Sequence, residues 1–346
     1  MKYLFCILAL LAALMLPAAA SEMVAPEVPD DVQALMPPDN IGLGQRLRYL
    51  LQEALTQAQP TVAPCIRLCG YTLCALLLLS LLQRLKGTSS RVVEMGGVFA
   101  ISVLLLGGTG EMIRLGTDTV QQISQYGKLL LPVLTAALAA QGGSVSAAAM
   151  YTSTAIFDAL LCSLISSILL PMVWVYLVLS VVGAATQDDL LRRLRDLIKQ
   201  LMSWSLKLIL YVFTGYISLS GIISGAADQT AVKAAKLTIS GMVPVVGGIL
   251  SDASESVLIG AGIVKNSVGI YGLLGVLAVT VVPFITVGIH YLAIKLTAAL
   301  SSAIATKNLT VLMSDFSTAM GFIVAITGSE CLIQLISIIC FLKGMT

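Results

Sequence analysis

The chain has 346 residues, of which 58% are hydrophobic and only 11% charged, with a mean hydropathy of +0.96. Soluble domains carry roughly 25% charged residues, so this chain lacks the polar surface to coat a water-soluble globule of its size. A net charge of +2 is too small to mark a nucleic-acid binder, and no nucleic-acid partner is expected. What remains is an all-α, polytopic transmembrane bundle.

The first twenty residues place one cation, Lys2, ahead of an apolar run from Tyr3 to Leu16. Pro17 and Ala18-Ala19-Ala20 follow. This is the layout of a signal peptide over 1–20, with an apolar core too short for a comfortable span; an uncleaved anchor is the alternative. Residues 21–62 then form an exported segment. It is acidic, with Glu22, Glu27, Asp30, Asp31, Asp39 and Glu53 against Arg46 and Arg48. Pro26, Pro29, Pro37 and Pro38 predict an irregular linker. Beyond Gly44, the positions Leu47, Leu50, Leu51, Ala54, Leu55 and Ala58 recur at helical spacing. They predict a short amphipathic helix that docks on a partner or packs on the bundle.

Residues 63–346 read as the membrane domain. Cys65–Leu82 is the first span, and Arg84, Lys86 and Arg91 after it mark a cytoplasmic loop by the positive-inside rule. Val92–Thr109 returns outward, and Glu111, Arg114 and Asp118 suggest an outer loop. The segment 129–150 contains Pro132 and the run Gln141-Gly142-Gly143-Ser144-Val145-Ser146. Such a segment is expected to be a broken or re-entrant helix, tolerated at membrane depth only where protein buries it or water lines it. Residues 151–185, with Pro171, supply the inward crossing. An amphipathic cytoplasmic helix is predicted over 187–203. Its apolar face is Leu190, Leu191, Leu194, Leu197, Ile198 and Leu201, and Thr186 with Asp189 resembles a capping box. It suits a partner, lipid headgroups or the bundle itself.

Residues 207–226 lead outward, and 239–264 is again interrupted by Gly and Pro. Residues 268–291 return, Lys295 and Lys307 mark a further cytoplasmic loop, and 316–341 leads outward. A shift of 112 residues lays Pro132 on Pro244 and Pro171 on Pro283. This suggests an internal repeat, 92–185 and 204–300, each half carrying one interrupted helix. Coincidence of prolines is the competing explanation. Paired interrupted helices are the best sequence pointer to a substrate pathway in transporter folds.

The residues singled out for such a pathway, or for close packing, are Pro132, Gly142, Gly143 and Ser144 in the first interrupted segment. Gly241, Pro244, Gly247, Gly248, Asp252, Glu255, Lys265 and Asn266 belong to the second. Asp158 and Glu330 stand in otherwise apolar runs, where burying an ion is costly. The charges of the second segment fit a membrane–water boundary equally well.

Nothing in the sequence supports catalysis. His290 is the only histidine, which leaves a Ser-His-Asp triad without company and excludes a histidine zinc cluster. Lys86-Gly87-Thr88 lacks the upstream glycine spacing of a phosphate loop. No cofactor or metal is expected. The seven cysteines lie in or beside apolar runs and read as small hydrophobes.

The stretch from Tyr211 to Tyr291 resembles the stage III sporulation protein AE family of endospore-forming bacteria. The likeness is carried by Tyr211-Val212-Phe213-Thr214-Gly215, Thr230 with Lys233-Ala234-Ala235-Lys236, and Gly241-Met242-Val243-Pro244-Val245-Val246-Gly247. Ser251-Asp252 and Val264-Lys265-Asn266-Ser267-Val268-Gly269 continue it, and Gln141–Ser146 and the signal segment fit the same family. The resemblance implies a multi-spanning component of a mother-cell-encoded sporulation complex in the outer forespore membrane, forming a channel or secretion-like apparatus toward the forespore. Implied partners are the other membrane proteins of that complex, including a separate ATPase and ring-forming subunits. Membrane lipids are expected partners too, and the abundant glycines leave a homo-oligomer open. The alternatives are a self-contained secondary transporter and an assembly scaffold without a pore.

Overall fold

In lipid, backbone N–H and C=O groups must be satisfied within the segment, so long apolar runs resolve as helices. The computed structural model describes residues 28–38, 42–85, 91–140, 144–219 and 267–344, and among these there is helix and no strand. A four-residue helix α1 (Asp30–Gln33) precedes α2 (Leu43–Leu85), α3 (Arg91–Ala140) and α4 (Ser144–Leu164). A π-turn (Ile165–Leu169) joins α4 to α5 (Leu170–Thr186); α6 (Asp189–Leu219), α7 (Ser267–Ser301) and α8 (Lys307–Gly344) follow. Five helical stretches are long and apolar enough to cross a membrane: 43–82, 91–136, 154–186, 269–301 and 307–339.

Several expectations are corrected by helix continuity. The amphipathic segment and the first span are one helix, α2, which runs through Pro60 and Pro64. Leu50, Ala54 and Ala58 are buried while Leu51 and Leu55 are exposed, so this segment packs on the bundle. The outer loop expected at Glu111–Asp118 does not form. Those residues lie in the middle of α3, whose 50 residues also run through Pro132. Met112, Leu115 and Ile113 pack on the core there, and Thr117 and Thr119 return their hydroxyls to backbone carbonyls one turn earlier. The acidic linker is likewise not wholly irregular, since Val28, Val32 and Leu35 are buried against the bundle around α1.

Pro171 is accommodated by the π-turn just before it. A proline has no N–H and clashes with the carbonyl four residues back; the widened turn gives that carbonyl room, so 144–186 continues as one helical run. The capping box is corrected as well. Thr186 is the last residue of α5, with its hydroxyl on the Val182 carbonyl. The N-cap of α6 is Asp188, whose Oδ1 accepts from the Leu190 amide at 2.8 Å. Gln187 makes the corner with φ 59°.

The bundle is built around α8, which packs on α7, α3, α5 and α4, and nearly all of its apolar stretch is buried. A helix apolar on all sides belongs inside. At one end, α3, α5, α6 and α8 are tied by polar contacts. Glu94 accepts from Asn308 Nδ2 and Gln187 Nε2, both at 2.8 Å, and Arg91 donates to the Thr186 carbonyl at 3.1 Å. Arg192 donates to Asn308 at 2.9 Å. The three cation-bearing regions at Arg91, Arg192 and Lys307 thus converge on one end of the bundle, the basic end. The opposite end is closed by a second apolar cluster containing Leu35, Leu50, Ile123, Leu130, Leu274 and Leu335.

The helices overshoot a bilayer. At 1.5 Å per residue α3 is about 75 Å long and α2 about 65 Å, against a hydrocarbon core of about 30 Å. Tilts of up to about 40° cannot absorb that excess. A large part of the bundle therefore stands outside the lipid.

Candidate functional site

Two polar nodes sit between the helices. The first joins α3, α4 and α8. Asp158 on α4 is buried, and its Oδ1 accepts a hydrogen bond from Nε2 of Gln334 on α8, also buried. One turn before Gln334, Glu330 is fully buried, and neither of its carboxylate oxygens has a hydrogen-bond partner among the described residues. Asp158 and Glu330 are close enough to repel one another, and Lys128 on α3 is the cation that Asp158 feels.

Backbone chemistry explains how Gln334 reaches this place. A Cβ on Gly127 would lie 2.5 Å from Gln334 Oε1 and 2.7 Å from Nε2. Glycine on α3 is thus the hole into which the amide fits. Three turns earlier on α8, Ile323 fills the same kind of space over Gly116, where an added Cβ would stand 2.6 Å from its Cγ2. The spacing Gly116–Gly127 on α3 and Ile323–Gln334 on α8 is eleven residues in each case, three helical turns on both helices. The two helices therefore register along a shared glycine track.

The second node lies at the basic end. Asp315 on α8 accepts from Tyr176 Oη at 2.9 Å and from Arg195 Nη1 at 2.8 Å. Arg195 also binds Asp196 at 2.7 Å. Burial disfavours the charged guanidinium, but Asp315 and Asp196 outweigh it and raise the arginine's pKa, so the pair is held ionised on the arginine side. Tyr176 in turn sets its ring edge-on to Phe322, centroids 6.5 Å apart. This node ties α5 and α6 to α8.

Of the residues singled out in the sequence, the structure brings Asp158 and Glu330 together. Pro132 is exposed on α3, and Ser144 is the first residue of α4. Gly142 and Gly143 lie outside the described residues, as do Gly241, Pro244, Gly247, Gly248, Asp252, Glu255, Lys265 and Asn266. The second interrupted segment, and with it the pairing of the two halves, falls there too. Gln334, Gly127, Arg195 and Asp315 are the participants that sequence reasoning missed. Asp315 and Gln334 were visible as polar residues in the last apolar run, but their partners are more than a hundred residues away and carry no local signature.

His290 also has a partner. Its Nδ1 is 3.4 Å from Cys65 Sγ, its Nε2 is buried without one among the described residues, and Gly108 makes room for the ring. Described residues contain no group of three or more His, Cys, Asp or Glu side chains placed to hold a metal.

The fold and these nodes define a multi-pass helical membrane protein with carboxylates buried between its helices. The chain matches the family model of stage III sporulation protein AE over residues 42–344. It belongs to that family. A curated relative, "Stage III sporulation protein AE" of Bacillus subtilis (strain 168), is 28% identical over 225 residues. That match covers 64% of this chain and 56% of the relative, so it spans little more than half the relative's length. No solved structure matches.

Proposed function

We propose that this chain is a non-enzymatic subunit of a channel- or secretion-like sporulation complex linking mother cell and forespore, set in the mother-cell-derived outer forespore membrane. Family membership supports the sporulation role. The single histidine and the lack of a phosphate loop in the sequence favour a part that relies on a separate ATPase subunit.

The observation that carries the reading is Glu330. It sits fully buried in the helix around which the bundle is built, beside a second carboxylate, with both oxygens unpartnered among the described residues. A helix selected only for packing would hold an apolar residue there, because an unsatisfied buried carboxyl costs stability. Ionisable groups inside membrane bundles mark ion or substrate routes and coupling elements. Asp158, Gln334 and Glu330 accordingly form a polar seam between α4 and α8 that opens or conducts when partners bind.

Glu330→Gln and Asp158→Asn in the sporulating host test this. Heat-resistant spore yield is expected to fall at least tenfold while protein level and thermal stability stay at or above wild type. Wild-type spore yield in both variants would reduce the seam to packing and favour a scaffold. Saturable, ion-coupled uptake by the purified protein alone in liposomes would instead establish a self-contained transporter.

A further inference from the structure

A groove of about 680 Å³ opens between α6, α7 and α8 toward the basic end, beside the second node. Its cations are Lys199 and Lys207 from α6 and Lys295 from α7. Lys199, Ser203 and Lys207 are spaced four and four, which places all three on one helix face, with the lysines about 12 Å apart along the axis. Lys295 is set in position by Tyr291: its Nζ donates to the phenol oxygen at 2.8 Å and lies 5.1 Å from the ring centroid. The α8 wall contributes hydroxyls, including Ser314 and Ser317. No acidic side chain lines the groove, and none of the three lysines has an ion pair among the described residues.

Three unpaired ammonium groups facing hydroxyls make a site for a phosphate-bearing anion. The surroundings decide which kind. Next to the lysines, α6 exposes Leu201, Trp204 and Leu208, and α7 exposes Leu292 and Leu296, each more than 40% accessible. A soluble phosphate has no use for flanking leucines, whereas acyl chains do. An exposed tryptophan at that level is the usual mark of the membrane–water interface. The cations stand at the end of the bundle where the charge rule places the cytoplasmic leaflet, and basic pockets between helices on that side take anionic headgroups.

We propose that this groove binds the phosphodiester headgroup of an anionic phospholipid, with its acyl chains laid along the leucines of α6 and α7. The bound lipid bridges α6 to α7 and α8, so it also fixes the amphipathic helix to the bundle.

The test uses the full chain purified in a neutral detergent and titrated separately with phosphatidylglycerol, cardiolipin, phosphatidylcholine and inorganic phosphate. Retained lipid is read by native mass spectrometry and the melting temperature in parallel. Binding of phosphatidylglycerol or cardiolipin with a rise in Tm is expected, and phosphatidylcholine and phosphate should produce neither. Each of Lys199→Gln, Lys207→Gln and Lys295→Gln is expected to weaken binding about fivefold, and the triple variant about a hundredfold. A control that removes three cations elsewhere (Arg48→Gln, Arg67→Gln and Arg114→Gln) should bind as wild type. Equal loss in that control, equal binding of phosphatidylcholine, or saturation by inorganic phosphate alone would each overturn the assignment. If the triple variant does not fold, the graded losses in the three single variants decide the matter, and their absence overturns it.

Discussion

Replacing Gly127 by alanine adds one methyl group to α3, and the structure predicts that this single carbon is costly. The new Cβ would stand 2.5–2.8 Å from three atoms of the Gln334 carboxamide, closer than van der Waals contact allows. Gln334 is buried and its amide is spoken for by Asp158, so it cannot swing into solvent. Either α8 moves off α3, at the roughly 1–3 kcal/mol of an overpacked core, or Gln334 leaves Asp158. The second route strands a buried carboxylate and amide at about 1–3 kcal/mol. Against this, alanine gains about 1 kcal/mol over glycine in a helix interior, leaving a net loss of about 0–2 kcal/mol, or about 1–3 kcal/mol relative to an alanine placed where there is no clash. Gly107→Ala is the control on the same helix, since nothing lies within 4 Å of its Cβ position; it should be neutral or slightly stabilising. Equilibrium unfolding in mixed micelles measures both. In a Gln334→Ala background the penalty of Gly127→Ala should disappear, because the three nearest atoms to the new Cβ all belong to that side chain. If Gly127→Ala is as stable as Gly107→Ala, or its cost persists without Gln334, the account of this node is wrong.

The remaining predictions concern the basic end. Arg195→Met should destabilise by roughly 3–5 kcal/mol, because it leaves the largely buried Asp315 without its cation; Asp315→Leu should cost less, because Arg195 keeps Asp196. The double variant should recover most of that loss, and a double-mutant cycle by thermal unfolding reads the coupling; additive losses would deny the pair. Asp188→Ala should cost about 1 kcal/mol through the lost N-cap of α6, whereas Thr186→Ala should be near neutral, its hydroxyl serving only the preceding turn. The opposite order in the same unfolding assay would restore the capping box read from sequence.

Much of the architecture was legible because lipid imposes a simple rule. Apolar runs of about twenty residues become helices, and clusters of Arg and Lys sort the loops to one side. Cations at Arg91, Arg192 and Lys307 do converge on one end of the bundle. The helix ends were less legible. Polar residues such as Glu111 and Asp118 resemble a loop when helices are assumed to stop at the membrane surface, but a helix supported by neighbours continues beyond it. Pro132 misled for a related reason: it lies inside a long helix whose packing outweighs the lost hydrogen bond.

The sequence by itself determined that this is a multi-pass helical membrane protein, which family it belongs to, and that Asp158 and Glu330 are out of place in apolar runs. Each of these depends on local composition or on ordered motifs. Tertiary structure decided what those carboxylates meet. Their proximity, the seating of Gln334 over Gly127, and the closing of Tyr176 and Arg195 on Asp315 are contacts across 120 residues or more. Such contacts are fixed by the packing of α8 against α3, α4, α5 and α6, which no helical periodicity encodes.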